Sequence, residues 1–430
     1  MSNIIEKSSG LLKEKYYYFK HASGLDVYVF PKDMASSYAL FGTRYGSIDS
    51  RFKKISDSEF IEVPNGIAHF LEHKMFENED GVDTFARFAK TGAQANAYTS
   101  FNMTAYLFSA TENFYESLDI LLDYVTHPYF TKETVDKEQG IIAQEIRMGE
   151  DNPGRALTFG LLQSMYEHHN VRIEIAGTVD SIAEITPELL YSCYNTFYNL
   201  NNMALCVCGN IDIDKVMDCC DRNLKEAEPF DVISEAKPER AEVYKDSFTC
   251  NMQVSMPMFS IGIKDVDISS DPKERMRKNA AMSVISDMLF GKSSSFFNTM
   301  YDEGVVSGSI DLWAEHYKSF SFITLSGEAD DPSEVYKRFK ALVEETKVCG
   351  LDREEFLRCK RVMYAGMVKS FDSTEEIANN FLGYVFDDGD ILDFTDIMGN
   401  LDYDYTNDLF KDMFRDEYYT LATVFPVDKE

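Results

Sequence analysis

GIAHFLEHKMFE, residues 66–77, is the stretch from which the rest of the chain is best read. Its apolar residues Ile67, Phe70 and Leu71 recur at helical spacing, which predicts a helix from about Gly66 to Asn78. On a helix, positions i, i+3 and i+4 share a face, so His69, Glu72 and His73 project together. Two imidazoles one turn apart can chelate a single Zn²⁺, and a carboxylate beside them can accept a proton from an attacking water. The order is H-x-x-E-H, the inverse of the commoner H-E-x-x-H. With seven histidines in 430 residues, such a pattern rarely arises by accident.

A hydrolytic zinc site needs a third protein ligand and an open position. The segment KEQGIIAQEIR, residues 137–147, offers Glu138 and Glu145, seven residues apart on one helical face. Ile141 and Ile142 lie between them, which predicts that this face packs inward and carries its carboxylates into the interior, where a metal would compensate their charge. Spacing alone leaves Glu133, Glu138 and Glu150 open beside Glu145.

Around these two segments, period-two apolar runs alternate with helical stretches, which argues for mixed α and β structure. Strands are expected at Leu25–Pro31, Tyr38–Tyr45, Ala95–Phe108 and Met203–Cys208. Helices are expected at Gly81–Thr91, through Asn113–Gly149, and at Ile213–Leu224. A chain of this length suits two or three domains of roughly 100–200 residues. The charged, proline-bearing stretch 226–245 reads as a linker with little to pack. The expected domains are therefore 1–228 and 246–430, joined by 229–245. The second half restarts with strand Thr249–Ile263 and helix Lys273–Leu289, then strands Ser309–Glu315 and Phe320–Gly327, helices Pro332–Lys347 and Arg353–Lys369, and an apolar run Leu421–Pro426. The same order in both halves predicts a duplicated α+β unit in which only the first copy carries the histidine motif.

Composition narrows the partners. The 73 acidic residues against 42 basic give a formal charge of −31, which repels polyphosphate and anionic membrane surfaces. Nucleic acid and membrane insertion are thus excluded expectations, and no run approaches the ~18 apolar residues of a bilayer span. The N-terminus has no signal-peptide pattern, and the eight cysteines form no C-x-x-C pair, so reduced thiols in a cytoplasmic protein are expected. His168-His169 reads as surface loop, Cys206 and Cys208 as strand packing, and Trp313 as a packing residue. His127 and His316 lack spaced metal-binding partners. The acidic 386–390 stretch reads as solvated loop, with an acidic wall that selects basic peptides as the other reading.

Five blocks carry a resemblance: GIAHFLEHKMFE (66–77), GAQANAYTSFNMTAY (92–106), KEQGIIAQEI (137–146), IAGTVDSIAEIT (175–186) and FYNLNNMALCVCGNID (197–212). Together they resemble the inverzincin metallopeptidases, the family of pitrilysin, insulin-degrading enzyme and mitochondrial processing peptidase, near its short YmfH-like bacterial members. The resemblance implies two homologous α+β domains, each a mostly antiparallel sheet packed with helices, forming half of a clamshell. It implies one Zn²⁺ per chain, with His69, His73 and Glu145 as ligands, Glu72 as general base, and Glu138 supporting the ligands. Asn96, Ala97 and Tyr98 match the family's edge strand, which binds an extended peptide by strand addition. The implied activity is that of a zinc metalloendopeptidase acting on peptides or small proteins.

One departure matters. The segment FNTMYDEGVVSG, residues 297–308, resembles the family's L-R-E-x-G-L-x-Y turn, whose arginine and tyrosine help complete the site. Here Tyr301 stands where arginine is expected and Ser307 where tyrosine is expected. The expectation is a paralogous partner subunit that supplies the Arg/Tyr pair. The alternatives are a non-catalytic peptide-binding or assembly subunit and a self-sufficient homodimeric oligopeptidase.

Overall fold

The computed structural model describes residues 3–235 and 237–427, which divide into two compact units. The first contains Met1–Ile146, Ile173–Ala236 and Lys369–Phe386; the second contains Arg147–Arg172, Lys237–Val368 and Asp387–Glu430.

The first unit is built on β1 (Ile5–Ser9), β2 (Glu14–Lys20), β3 (Asp26–Pro31), β4 (Ser37–Thr43), β5 (Arg51–Lys54), β6 (Ile61–Glu62), β7 (Gln94–Thr99), β8 (Thr104–Ala110), β9 (Met203–Gly209) and β10 (Val232–Ser234). Seven of these form a sheet in the order β1-β2-β3-β9-β4-β8-β7, and β10-β5-β6 form a small second one. Helices α1 (Ile67–Lys74), α2 (Thr84–Thr91), α3 (Phe114–Thr126), α4 (Lys132–Glu150), α5 (Pro153–Met165), α6 (Val179–Ala183), α7 (Pro187–Phe197) and α8 (Ile213–Asn223) complete the first half of the sequence. The second half contributes β11 (Ser247–Met252), β12 (Met258–Asp265), β13 (Ser307–His316), β14 (Ser321–Glu328) and β15 (Tyr419–Pro426), in the order β11-β15-β12-β14-β13. Its helices are α9 (Pro272–Phe290), α10 (Ser295–Asp302), α11 (Pro332–Cys349), α12 (Arg353–Ser370), α13 (Thr374–Phe386), α14 (Ile391–Gly399) and α15 (Tyr403–Met413).

The duplication is visible strand by strand. The run β3-β9-β4-β8-β7 of the first sheet has the same order as β11-β15-β12-β14-β13 of the second. In each, the first pair is parallel (β3/β9, β11/β15) and the others are antiparallel. Two α+β units with mostly antiparallel sheets are thus present, as the resemblance implied.

Neither unit is a single run of sequence, which departs from the expected split at 229–245. Helix α13 packs on β4 and β9 of the first sheet, and α5 packs on β11, β12 and β15 of the second. The physical reason is an apolar sheet face that the unit's other helices leave uncovered. On the first sheet, Phe381 of α13 lies 4.8 Å from Tyr16, 4.9 Å from Tyr28 and 6.0 Å from Phe30, measured between ring centroids. Ile377, Ala378, Phe381, Leu382 and Val385 are buried at helical spacing, each large side chain being worth about 1.5–3 kcal/mol. Gly42 in β4 allows this approach, since a Cβ there would lie 2.6 Å from Leu382; Gly262 in β12 does the same beneath Leu161 and Met165 of α5.

The stretch 226–245 is also more tightly packed than its composition suggests. Val232–Ser234 pairs with β5. Further along, the Glu239 carboxylate accepts the backbone N–H groups of Glu167, His168 and His169, while Lys264 Nζ donates to Glu239 and to the carbonyls of Met165, Arg240 and Glu242. His169, expected in a surface loop, is buried between the rings of Tyr166 and Phe320, although its neighbour His168 is exposed. Trp313 packs edge-on against Phe322.

Candidate metal centre

Helix α1 begins at Gly66, whose backbone is left-handed (φ +91°) and whose absent Cβ would sit 2.4 Å from the Ala176 carbonyl oxygen. That close approach seats the helix. Ile67, Ala68, Phe70 and Leu71 are buried in the core beneath it. The opposite face carries His69, Glu72 and His73, as the 3.6-residue period requires.

Helix α4 supplies the carboxylates. His69 Nε2 lies 3.6 Å from one oxygen of Glu145, and His73 Nε2 lies 3.7 Å from the other. One candidate ligand atom from each of His69, His73 and Glu145 falls within 4.8 Å of the other two. A tetrahedral ion with bonds of 2.0–2.1 Å holds neighbouring ligand atoms about 3.4 Å apart, so small side-chain adjustments suffice and the donor set fits zinc. The two imidazole rings are 4.6 Å apart between centroids.

Glu138, one helical repeat before Glu145, is buried and lies 3.0 Å from His73 Nδ1. A carboxylate only accepts, so His73 donates from Nδ1 and leaves the Nε2 lone pair facing the gap. Burial works against the charged form of His73, but the hydrogen bond to Glu138 and the charges of Glu72, Glu138 and Glu145 outweigh it and raise its pKa. Burial also opposes ionisation of Glu138, yet the His73 hydrogen bond and nearby His73, Lys74 and Lys137 charges hold its pKa below the usual value.

One expectation about α4 fails. Ile142 is fully buried, but Ile141 is exposed and Glu145 has a side chain 48% exposed. Glu145 lies at the edge of the buried stripe that runs through Val135, Glu138, Ile142 and Ile146, so its carboxylate reaches outward while Glu138 stays buried. Glu133 and Glu150 do not join the cluster of candidate ligands among the described residues.

Glu72 is 8% exposed and accepts a 2.7 Å hydrogen bond from Thr99 Oγ1. Burial raises its pKa; the Thr99 hydrogen bond and the His73 charge oppose that, and the Glu145 charge adds to it. Thr99 ends β7, the strand at the free edge of the seven-stranded sheet. Alternation along β7 puts Ala95, Ala97 and Thr99 on the face toward α1, where Ala95 and Ala97 touch the core. Asn96 and Tyr98 face the other way. Tyr98 donates to Asn379 on α13 (3.1 Å), whose amide donates in turn to Tyr38 (3.2 Å). Asn96 is exposed, and its Oδ1 accepts the Ala97 N–H at 2.9 Å. In the second half, Tyr301 lies in the last turn of α10 with 55% exposure and stacks on Phe297, and Ser307 opens β13.

Sequence reasoning missed Thr99 and Lys74. Thr99 continues the alternation of Ala95 and Ala97, which was the available signal. Lys74 stands seven residues after Ile67, on the apolar side of α1, and is fully buried.

Residues 61–179 match the family described as Insulinase (Peptidase family M16), and residues 184–363 match the family described as Peptidase M16 inactive domain. The chain is 38% identical over 423 residues to an uncharacterized zinc protease, YmfH, of Bacillus subtilis, covering 96% of this chain and 97% of that one. It superposes with a TM-score of 0.92 and 32% identity on an M16-like peptidase from Alicyclobacillus acidocaldarius, covering 96% and 98% of the two chains. The periplasmic protease PqqL from Escherichia coli matches in fold, with a TM-score of 0.73 at 16% identity; 96% of this chain covers 48% of that one.

Proposed function

The chain belongs to the insulinase family of metallopeptidases, peptidase family M16, and we propose that it is a zinc metalloendopeptidase that hydrolyses extended peptides as the metal-bearing subunit of a two-chain enzyme. The observation that carries this reading is the convergence of His69, His73 and Glu145 on one gap, with Glu72 on the same helix face.

In this reading His69, His73 and Glu145 hold the ion, and Glu138 orients His73. A bound Zn²⁺ supplies Lewis acidity, polarising the scissile carbonyl and making water more acidic. Glu72 takes the proton of the attacking water and returns it to the leaving amine nitrogen. Its burial favours proton uptake, and the Thr99 hydroxyl fixes one carboxylate oxygen so that the other is free to receive the proton. The free edge of β7 around Asn96, Ala97 and Tyr98 offers main-chain groups to a peptide laid alongside as an added strand. Tyr98 acts there through its backbone, since its hydroxyl is engaged by Asn379.

The two-chain assembly is supported by Tyr301 and Ser307, which cannot replace an Arg/Tyr pair, and by PqqL, whose single chain is twice the length of the matched fold. A paralogous chain would supply the missing pair. The match of the second half to an inactive-domain family keeps a second reading in play, a peptide-binding or assembly subunit without turnover; a homodimeric oligopeptidase is the third. A cytoplasmic location fits the eight free cysteines, and no described helix is long and apolar enough to cross a membrane. The test is a peptidase assay of the wild-type chain and Glu72→Gln, each alone and with a paralogous subunit. Cleavage by wild type plus paralogue, lost in Glu72→Gln, is expected. Equal activity of wild type and Glu72→Gln would remove the role of Glu72, and strong cleavage by the single chain would remove the two-chain requirement.

A further inference from the structure

Beside the metal centre lies a group that the chemistry does not use. Lys74 follows His73 directly, and its side chain has no exposure at all. A buried ammonium is costly unless it is paired, and an apolar side chain of similar volume is often as stable or more so. Its partners are specific. Lys74 Nζ forms an ion pair of 2.5 Å with Glu77, beyond the end of α1, and donates at 3.2 Å to the backbone carbonyl of Thr134. Thr134 lies in the first turn of α4, one turn before Glu138 and three turns before Glu145. Among the described residues, the ammonium is thus a direct polar link between the helix with both histidines and the helix with both glutamates.

We propose that Lys74 is a positioning residue whose buried ammonium, held by Glu77, fixes α1 against α4 and so sets the gap in which His69, His73 and Glu145 meet. The inference rests on the reading of those three residues as metal ligands. A Thr134 backbone carbonyl is an anchor that no side-chain change on α4 removes, so the tie fixes the helix itself rather than one rotamer. Met at position 74 would fill similar volume, release Glu77 to solvent and remove this tie, leaving packing, the His73–Glu138 hydrogen bond and the contacts of Glu145 with His69 and His73 between α1 and α4.

The test uses the full-length chain as wild type, Lys74→Met, Lys74→Arg and Glu77→Gln, each stripped of metal. Zinc affinity is measured by competition with a chromophoric chelator, and melting temperature is measured without metal. The expected result for Lys74→Met is an unchanged or higher melting temperature with zinc affinity about 10- to 100-fold weaker. Lys74→Arg, which keeps a donor, should recover part of that loss, and Glu77→Gln should weaken binding several-fold. Equal zinc affinity in wild type and Lys74→Met overturns the proposal whatever the melting temperatures do. If Lys74→Met does not fold, Glu77→Gln decides: weaker zinc binding supports the tie and unchanged binding overturns it. A wild-type chain that takes up no zinc overturns the metal-site reading itself, a different failure from equal affinities.

Discussion

A carboxylate that takes a proton and gives it back has to be nearly enclosed yet remain ionisable, and Glu72 meets both conditions. Burial raises its pKa, while the Thr99 hydroxyl and the His73 charge limit the rise. Glu72→Gln removes the acceptor without touching a ligand, so turnover should fall by about 100- to 10,000-fold at unchanged zinc content, read from kcat and elemental analysis together. Glu138→Gln keeps the shape but weakens the hold on His73 Nδ1; chelator competition should show a zinc affinity about 10- to 100-fold lower. Away from the centre, His169 gives a pH prediction. Burial holds its pKa down to about 4, and its Nδ1 accepts the Val171 N–H. The folded chain therefore binds fewer protons than the unfolded chain between the usual imidazole pKa and pH 4. The stability His169 contributes is full above about pH 6.5 and is lost as pH falls toward 4, a difference of about 3 kcal/mol. His169→Asn, which can still accept from Val171, should flatten the slope of melting temperature against pH over that window; an unchanged slope would contradict the assignment. At this scale the histidine motif was legible because helical period alone puts its three side chains on one face. Thr99 was not, since its contact with a residue 27 positions earlier depends on where β7 lies beside α1.

At the scale of elements, the exchange of α13 and α5 decides what can fold. A fragment ending at residue 235 contains every strand of the first unit but lacks α13, so Tyr16, Tyr28 and Phe30 would face water. Such a fragment should bind a hydrophobic dye and lack a cooperative thermal transition, whereas cooperative unfolding of the isolated fragment would show α13 to be dispensable. Gly42→Val tests the same packing in the whole chain, with an expected loss of about 1–3 kcal/mol from the clash with Leu382 and Phe386 in denaturant unfolding. Strands and helices near the motif were legible from their periods. The expected single strand Ala95–Phe108 is the hairpin β7–β8, because residues 100–103 turn at Ser100 and Met103 instead of continuing the alternation. The exchange was not legible: α5 and α13 are amphipathic helices, and a hydrophobic stripe does not say which of two similar sheets it will cover. The face of α4 was misjudged for a related reason. Ile142 lies within the buried stripe and Ile141 beyond its edge, a boundary that the apolar pattern alone does not place.

For the whole molecule, a charge of −31 bears on which peptides arrive. If the acidic surface steers substrate, kcat/KM for a cationic peptide should exceed that for its anionic counterpart at low ionic strength. The two should converge near 1 M salt, where charges are screened beyond roughly 3 Å. Equal rates at low salt would assign the charge to solubility alone. Length is informative at the same scale. The chain covers nearly all of YmfH and about half of PqqL, and the proposed two-chain enzyme requires that wild type cleave peptide only together with a paralogous subunit. Every such expectation presupposes the metal centre. Elemental analysis of the purified wild-type chain beside His73→Ala decides it: about one zinc ion per wild-type chain and loss of that ion in the variant are expected, whereas a wild-type chain without stoichiometric metal, or with the same content as His73→Ala, would rule the metal centre out.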